Sequence, residues 1–413
     1  MASQISFNPA SPDVMHIDLN SAFASIEQQA NPLLRGKPVA VVAYDSPGGC
    51  ILASSIEAKA LGIKTGHRVR DAKAIYPKLI TLPSDPNKYR QVHLAFRKIL
   101  ADYTHDFYPK SIDEFVLHFK NYHTFDYGLK NVGREIKKRI RSEIGDYLTV
   151  SIGIAPNRFL AKTASNLKKP NGLEEINKKN FLDVYAHLNL TDLHGINLKN
   201  EARLRSAHIH SVIDLYYATP QKLKIAFQSV LADYWHTRLR GYEIDNLEFT
   251  RKSFGNSYSL PHSTGTKEEI FPILQKLVEK TGLRLRSNGY KTTGVHLALR
   301  YRDHTFWHKG KSFKKSLFGS LEIYREMIKL LHEAPLKPVH TIHETCFGLV
   351  SNKETQLELF EDVIQKENLV DYLDQINSRW GNFVITPARM LLAKNKVPER
   401  IAFGGIGELL SNE

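Results

Sequence analysis

The chain has 413 residues, 42% of them hydrophobic and 24% charged, the make-up of an ordinary globular protein of two to four domains. A formal net charge of +14 points to a polyanionic partner. Two distant cysteines exclude a disulfide framework and a cysteine-based zinc site, and no apolar run approaches the roughly 20 residues a membrane helix needs.

Residues 14–18 (VMHID) form an apolar, β-branched run that reads as a buried strand, followed by a helical stretch over residues 21–29. Residues 38–44 read as a second strand, closed by the turn-rich Asp45-Ser46-Pro47-Gly48-Gly49. A helical pattern returns over residues 57–61, with Gly62 at its C-terminus. Residues 107–120 suggest a hairpin, and 149–155 alternate with the period of a strand. This alternation over the first 175 or so residues implies an α/β or α+β domain.

From about residue 178 to 242 the pattern is helical, without a convincing strand, and 246–252 read as a linker. Strands are then predicted over 254–260, 293–301 and 341–350, with helices over 266–285 and 321–331. The first of these helices opens with the capping-box spacing Thr266-Lys267-Glu268-Glu269. A β-α-β-β-α-β order of this kind describes a small ferredoxin-like domain. Residues 251–320 hold 14 Lys/Arg against 4 Asp/Glu, interleaved with Tyr301, Phe306, Trp307 and Phe313. Such clustering fits a surface for a phosphate backbone as well as a solvated basic face. The last 60 residues are polar and helical, and no basic-then-apolar leader precedes the first strand, so a cytoplasmic protein is expected.

Two acidic positions have unusual settings. Asp18 ends an apolar strand, and Asp113-Glu114 lies inside the apolar hairpin sequence SIDEFVL. Carboxylates there are costly to bury without a positive partner, and a pair of divalent ions would suit them as well as plain exposure would. Neighbours in a regular strand face opposite ways, so Asp113 and Glu114 can serve together only at a bend.

Three segments in register, HIDLNSAFASIE (16–27), SIDE (111–114) and SIGIAPNRFLAKTASNLKKPNG (151–172), resemble the Y-family DNA polymerases, in particular the branch of bacterial DNA polymerase IV. The resemblance covers roughly residues 13–350. It implies an α+β multidomain fold: a ferredoxin-like palm (1–25 and 78–176), small fingers (26–77) and a helical thumb (177–245). A linker (246–252), a second ferredoxin-like domain called the little finger (253–352) and a tail (353–413) would follow. The implied activity is low-fidelity, template-directed extension of a primer with deoxynucleoside triphosphates, without proofreading. Asp18, Asp113 and Glu114, with the backbone carbonyl of Leu19, would hold two Mg2+ ions.

The resemblance also makes Phe23 the aromatic that excludes a ribose 2′-hydroxyl, and Lys169 a triphosphate contact. In the fingers the chain departs from the family's hydroxyl, tyrosine and arginine, having Ala53, Ile56 and Lys59 instead. Lys59 keeps charge but lacks a guanidinium fork, which implies weaker nucleotide binding unless Ser54, Ser55, Lys64 or Arg68 substitutes. Residues 193–197 (LHGIN) resemble a helix-hairpin-helix turn, with Gly195 beside a DNA phosphate and Asn197 tolerated where the family has glycine, because asparagine enters the left-handed region. Arg251, Lys252, Arg300 and Arg302 are the candidate DNA contacts of the little finger. Gln356, Leu357, Leu359 and Phe360 resemble a peptide that docks on the replication sliding clamp. A monomer acting on primed DNA is implied. Two rivals remain: a nucleotidyl cyclase with a similar palm, and a catalytically weak relative that recruits partners on DNA.

Overall fold

The computed structural model describes residues 5–120, 122, 127–245, 251–352 and 362–398. The chain divides into two compact units, one within residues 1–248 and one within 249–399.

The first unit begins with β1 (Val14–Leu19), α1 (Ala22–Ala30), β2 (Val39–Val42), β3 (Ile51–Ser54), α2 (Ile56–Ala60) and α3 (Val69–Ile75). It continues with β4 (Ile80–Pro83), α4 (Pro86–Ala101), β5 (Phe107–Pro109), β6 (Glu114–His118) and α5 (Leu129–Arg139). Then come β7 (Val150–Ala155), α6 (Arg158–Leu167) and β8 (Leu173–Glu175). A five-stranded sheet runs in the order β5-β6-β1-β7-β8, and a three-stranded one in the order β3-β2-β4. The smaller sheet takes its third strand from beyond residue 78, since β4 pairs in parallel with β2.

All six residues of β1 are buried, so both faces of this central strand are covered. Met15, Ile17 and Leu19 join Phe96, Leu100, Phe115, Val132 and Ile136 in one core, whereas Val14 joins Val116, Ala155 and residues of α6 in another. Period-two alternation therefore sends His16 and Asp18 toward α6. The helix comes very close there: a Cβ on Gly153 would sit 2.0 Å from the carbonyl oxygen of Ala161, so glycine is required.

Five helices complete the unit without a strand: α7 (Phe181–Ala186), α8 (Leu198–Ser206), α9 (Val212–Tyr217), α10 (Pro220–Phe227) and α11 (Leu231–Arg238). Their core residues Leu193, Ile196, Leu204, Leu215 and Trp235 share a cluster with Phe159 and Leu160 of α6. Arg240 is buried and donates to the carbonyls of Ile5, Tyr216 and His236 at 2.6–2.7 Å, so backbone oxygens satisfy its guanidinium.

The second unit holds β9 (Ser253–Thr264), α12 (Lys267–Ser287), β10 (Tyr290–Tyr301), β11 (Phe306–Leu317), α13 (Ser320–Glu333) and β12 (Val339–Ser351). Its sheet order, β11-β10-β12-β9, completes the expected ferredoxin-like element order. β11 is an edge strand exposed along most of its length, so no apolar alternation marks it in sequence. The capping box at Thr266 does not form; Thr266 is the N-cap, but its hydroxyl meets that of Thr264 at 3.3 Å instead of a helix N–H. A further helix, α14 (Val363–Trp380), docks by ion pairs: Arg286 on Asp374 at 2.6 Å and the buried Lys291 on Glu367 at 2.6 Å.

Candidate active site

Asp18 and Glu114 are direct partners across the antiparallel β1–β6 pair, which puts their Cα atoms about 5 Å apart on one face. Asp113 precedes β6 in a bend over residues 110–113, and its carbonyl accepts the Leu19 N–H at 2.9 Å. That bend frees Asp113 from strand alternation, so it can stand beside Asp18 although Glu114 is the next residue. Asp18 and the adjacent Asp113 and Glu114, nearly a hundred residues further along the chain, thus converge at one end of the sheet.

Each meets a cation or a hydroxyl. The Asp18 carboxylate lies 2.7 Å from Lys169 Nζ. Glu114 accepts from Lys162 Nζ through both oxygens, at 2.8 and 2.7 Å, with His16 Nε2 at 3.6 Å. Burial would raise the Glu114 carboxyl, but the imidazole of His16 and the ammonium of Lys162 more than reverse this and hold it well below the ordinary range. Asp113 takes a hydrogen bond from the Ser111 hydroxyl at 2.5 Å; burial raises its carboxyl, and the like charges of Asp18 and Glu114 add to that.

Asp18, Leu19, Phe23, Lys59, Asp113 and Lys169 line one cleft of about 670 Å³ together with Ala53, Ser54, Ile56 and Thr65. Lys59, on α2, donates to the Ser21 hydroxyl at 2.8 Å. Burial and the neighbouring Lys169 lower the Lys59 ammonium, against the pull of Asp18 and Asp113. Phe23, in the first turn of α1, is 2% exposed and stacks on Tyr89 at 4.2 Å between centroids. The Tyr89 hydroxyl is fixed by Glu27 at 2.9 Å, so the ring behind Phe23 is held from its far end.

Of the four possible substitutes in α2 and its surroundings, only Ser54 lines the cleft. Ser55 is committed instead to capping α2 through the Ala58 N–H. Gly195 has φ +98°, which requires glycine, but Asn197 is extended at φ −96° and caps α8 through the Asn200 N–H; it does not occupy the left-handed region. Arg251 stacks over Phe254 at 4.3 Å, and Arg300 is exposed on β10 in the second unit. The backbone N–H of Arg302 donates to the Pro338 carbonyl at 2.8 Å. Gln356, Leu357, Leu359 and Phe360 lie outside the described residues.

Lys162 and His16 were not singled out from the sequence. No local signal marks Lys162, whose partner Glu114 lies 48 residues away in sequence.

The hard carboxylate oxygens of Asp18 and Asp113, which line the same cleft, suit a divalent metal ion. Among the described residues no set of three or more His, Cys, Asp or Glu side chains surrounds a common metal position. Glu114, held by Lys162, does not line the cleft that Asp18 and Asp113 share.

A model of the impB/mucB/samB family matches residues 17–166, and one of that family's C-terminal domain matches residues 251–359. Over 398 residues the chain is 31% identical to a protein named DNA polymerase IV from Pelotomaculum thermopropionicum, spanning 94% of this chain and 97% of the other. It is also 31% identical over 383 residues to DNA polymerase IV 1 of Bacillus subtilis, spanning 90% and 91%. Among solved structures, a Y-family DNA polymerase chimera of Dbh and Dpo4 superposes with a TM-score of 0.72 at 25% identity, covering 82% of this chain and 99% of the other.

Proposed function

The chain belongs to the Y-family DNA polymerases of the impB/mucB/samB family, and from that premise we propose that it extends primed DNA by template-directed, low-fidelity translesion synthesis without proofreading. The observation that carries this reading is the meeting of Asp18 and Asp113 at the rim of a cleft that also presents Phe23, Lys59 and Lys169. An aromatic wall, two cations and paired carboxylates are what a deoxynucleoside triphosphate needs beside a primer end.

Asp18, Asp113, Glu114 and the Leu19 carbonyl would hold two Mg2+ ions. Such a pair supplies acidity to the primer 3′-hydroxyl and neutralises charge on the phosphates. Lys169 and Lys59 bind and orient the triphosphate, and the Phe23 ring excludes a 2′-hydroxyl from the sugar position. Ala53 and Ile56 offer no side-chain hydrogen bond in the same cleft, so the two lysines carry more of the grip.

In this reading the five-stranded sheet and its helices form the palm (1–25 and 78–176, apart from β4, which pairs with β2), and the segment 26–77 forms the fingers. The helices of 177–245 form a thumb whose Gly195 turn meets a DNA phosphate. The second unit is the little finger, whose basic residues, Arg251, Lys252, Arg300 and Arg302 among them, meet the DNA backbone. Residues 356–360 would dock on a sliding clamp. The protein would act as a cytoplasmic monomer; no described helix is long and apolar enough to cross a membrane.

The test is primer extension with Mg2+ and deoxynucleotides, comparing the wild type with an Asp113→Ala, Glu114→Ala double variant. Extension by the wild type alone supports the reading. Tight DNA binding with no extension by either protein would overturn it in favour of a recruitment factor.

A further inference from the structure

The site holds three lysines against three carboxylates, and their placement differs. Lys59 and Lys169 line the cleft, where a triphosphate would reach them, but Lys162 does not. It rises from α6, the helix that Gly153 allows against β7, and Ser165 of that helix faces His16 Nδ1 at 3.3 Å. From there its ammonium spans both oxygens of Glu114, with the two side chains 23% and 21% exposed. An arriving nucleotide therefore leaves Lys162 where it is, whereas an arriving metal ion competes with it for Glu114.

We propose that Lys162 is the internal counter-ion of the metal site: it holds Glu114 in the metal-free protein and thereby sets how tightly the free enzyme takes a divalent ion. This inference rests on the polymerase reading. Lys162 is a positioning residue, acting through Glu114. Without it, Glu114 would stand beside Asp18 and Asp113 with the imidazoles of His16 and His194 nearby but no ammonium on it, and the cluster would draw a cation more strongly. Even in bulk water a unit charge and a divalent ion about 6 Å apart repel enough for roughly a tenfold change in binding.

The test is Mn2+ titration of the full chain without DNA, read by electron paramagnetic resonance, for the wild type, Lys162→Met and Lys162→Arg. Lys162→Met should bind Mn2+ about tenfold more tightly, and Lys162→Arg should stay near wild type. Introducing Glu114→Gln into both the wild type and Lys162→Met should largely remove the difference between them, because the effect passes through that carboxylate. Thermal unfolding gives a second readout. Lys162→Met should melt below wild type in chelator, and Mg2+ should narrow the gap. Unchanged Mn2+ affinity in Lys162→Met, equal tightening in Lys162→Arg, or a difference that survives Glu114→Gln would each overturn the proposal. Absence of primer extension by the wild type is a separate failure, that of the polymerase reading.

Discussion

Phe23 carries two burdens that one substitution separates. Its ring is 2% exposed, stacked on Tyr89 at 4.2 Å with an interplanar angle of 10°, and one edge faces the cleft. Replacing it by alanine removes a buried aromatic, which costs about 3–5 kcal/mol, with about 0.5–1.5 kcal/mol of that belonging to the ring pair. A domain with about 5–15 kcal/mol of stability survives such a loss, though with a lower melting temperature. In the proposed function the same change would open the space below the sugar. A close-fitting wall discriminates against an added hydroxyl by about a hundredfold, so the ratio of kcat/KM for deoxy- over ribonucleotide should fall by about that factor. Single-nucleotide insertion opposite a matched template base measures it, and general damage cancels from the ratio. Phe23→Leu, which keeps most of the bulk, should fall between. A folded Phe23→Ala protein with wild-type sugar discrimination would refute the gate.

Glu344 sets a pH dependence in the second unit. It is fully buried, accepts from the Asn256 N–H at 3.0 Å and from the Thr281 hydroxyl, and burial pushes its carboxyl up to about 8. The folded state keeps this proton where the unfolded chain has lost it, so its stabilising contribution is full below the unfolded value of 4.5 and fades as pH rises through about 8. Urea unfolding between pH 5 and 8.5 should show a decline of at most about 4–5 kcal/mol that Glu344→Gln flattens; an equal decline in the variant would count against it. Deleting residues 356–360 should leave distributive synthesis unchanged while removing stimulation by a sliding clamp, and retained stimulation would exclude that peptide.

How far the sequence could be read depended on whether a residue's role is local. Asp18, Asp113 and Glu114 stood out because acids in apolar runs are conspicuous, and the bend at 110–113 supplied the break in alternation that their joint use demands. β11 left no signal, because an edge strand exposed on both faces has no apolar side to repeat. Asn197 was placed in the left-handed region by analogy with glycine. Its side chain offered a cheaper solution, an N-cap for α8, that relieves the backbone of any positive φ. Thr266 shows the reverse: its capping spacing is correct, but a second hydroxyl two residues earlier competes for it. Lys162 was invisible for a different reason. Its partner is 48 residues away, and only the register of β1 with β6 and the close approach at Gly153 bring the two together.

That register also explains how one small sheet can carry such a concentration of charge. Each acid is balanced from a different element: Asp18 by the loop after α6, Glu114 by α6 itself, and Asp113 by the Ser111 hydroxyl of its own bend with Lys59 nearby on α2. In the proposed function, a triphosphate entering the cleft would draw Lys169 from the Asp18 carboxylate and Lys59 from the Ser21 hydroxyl, both of them cleft residues. The Asp18 carboxylate that Lys169 releases would then be free for a metal ion, so in that reading nucleotide and metal should bind with positive coupling. Lys162, outside the cleft, would have no phosphate to move to, so in the same reading Glu114 would be the carboxylate most dependent on a metal ion for its release.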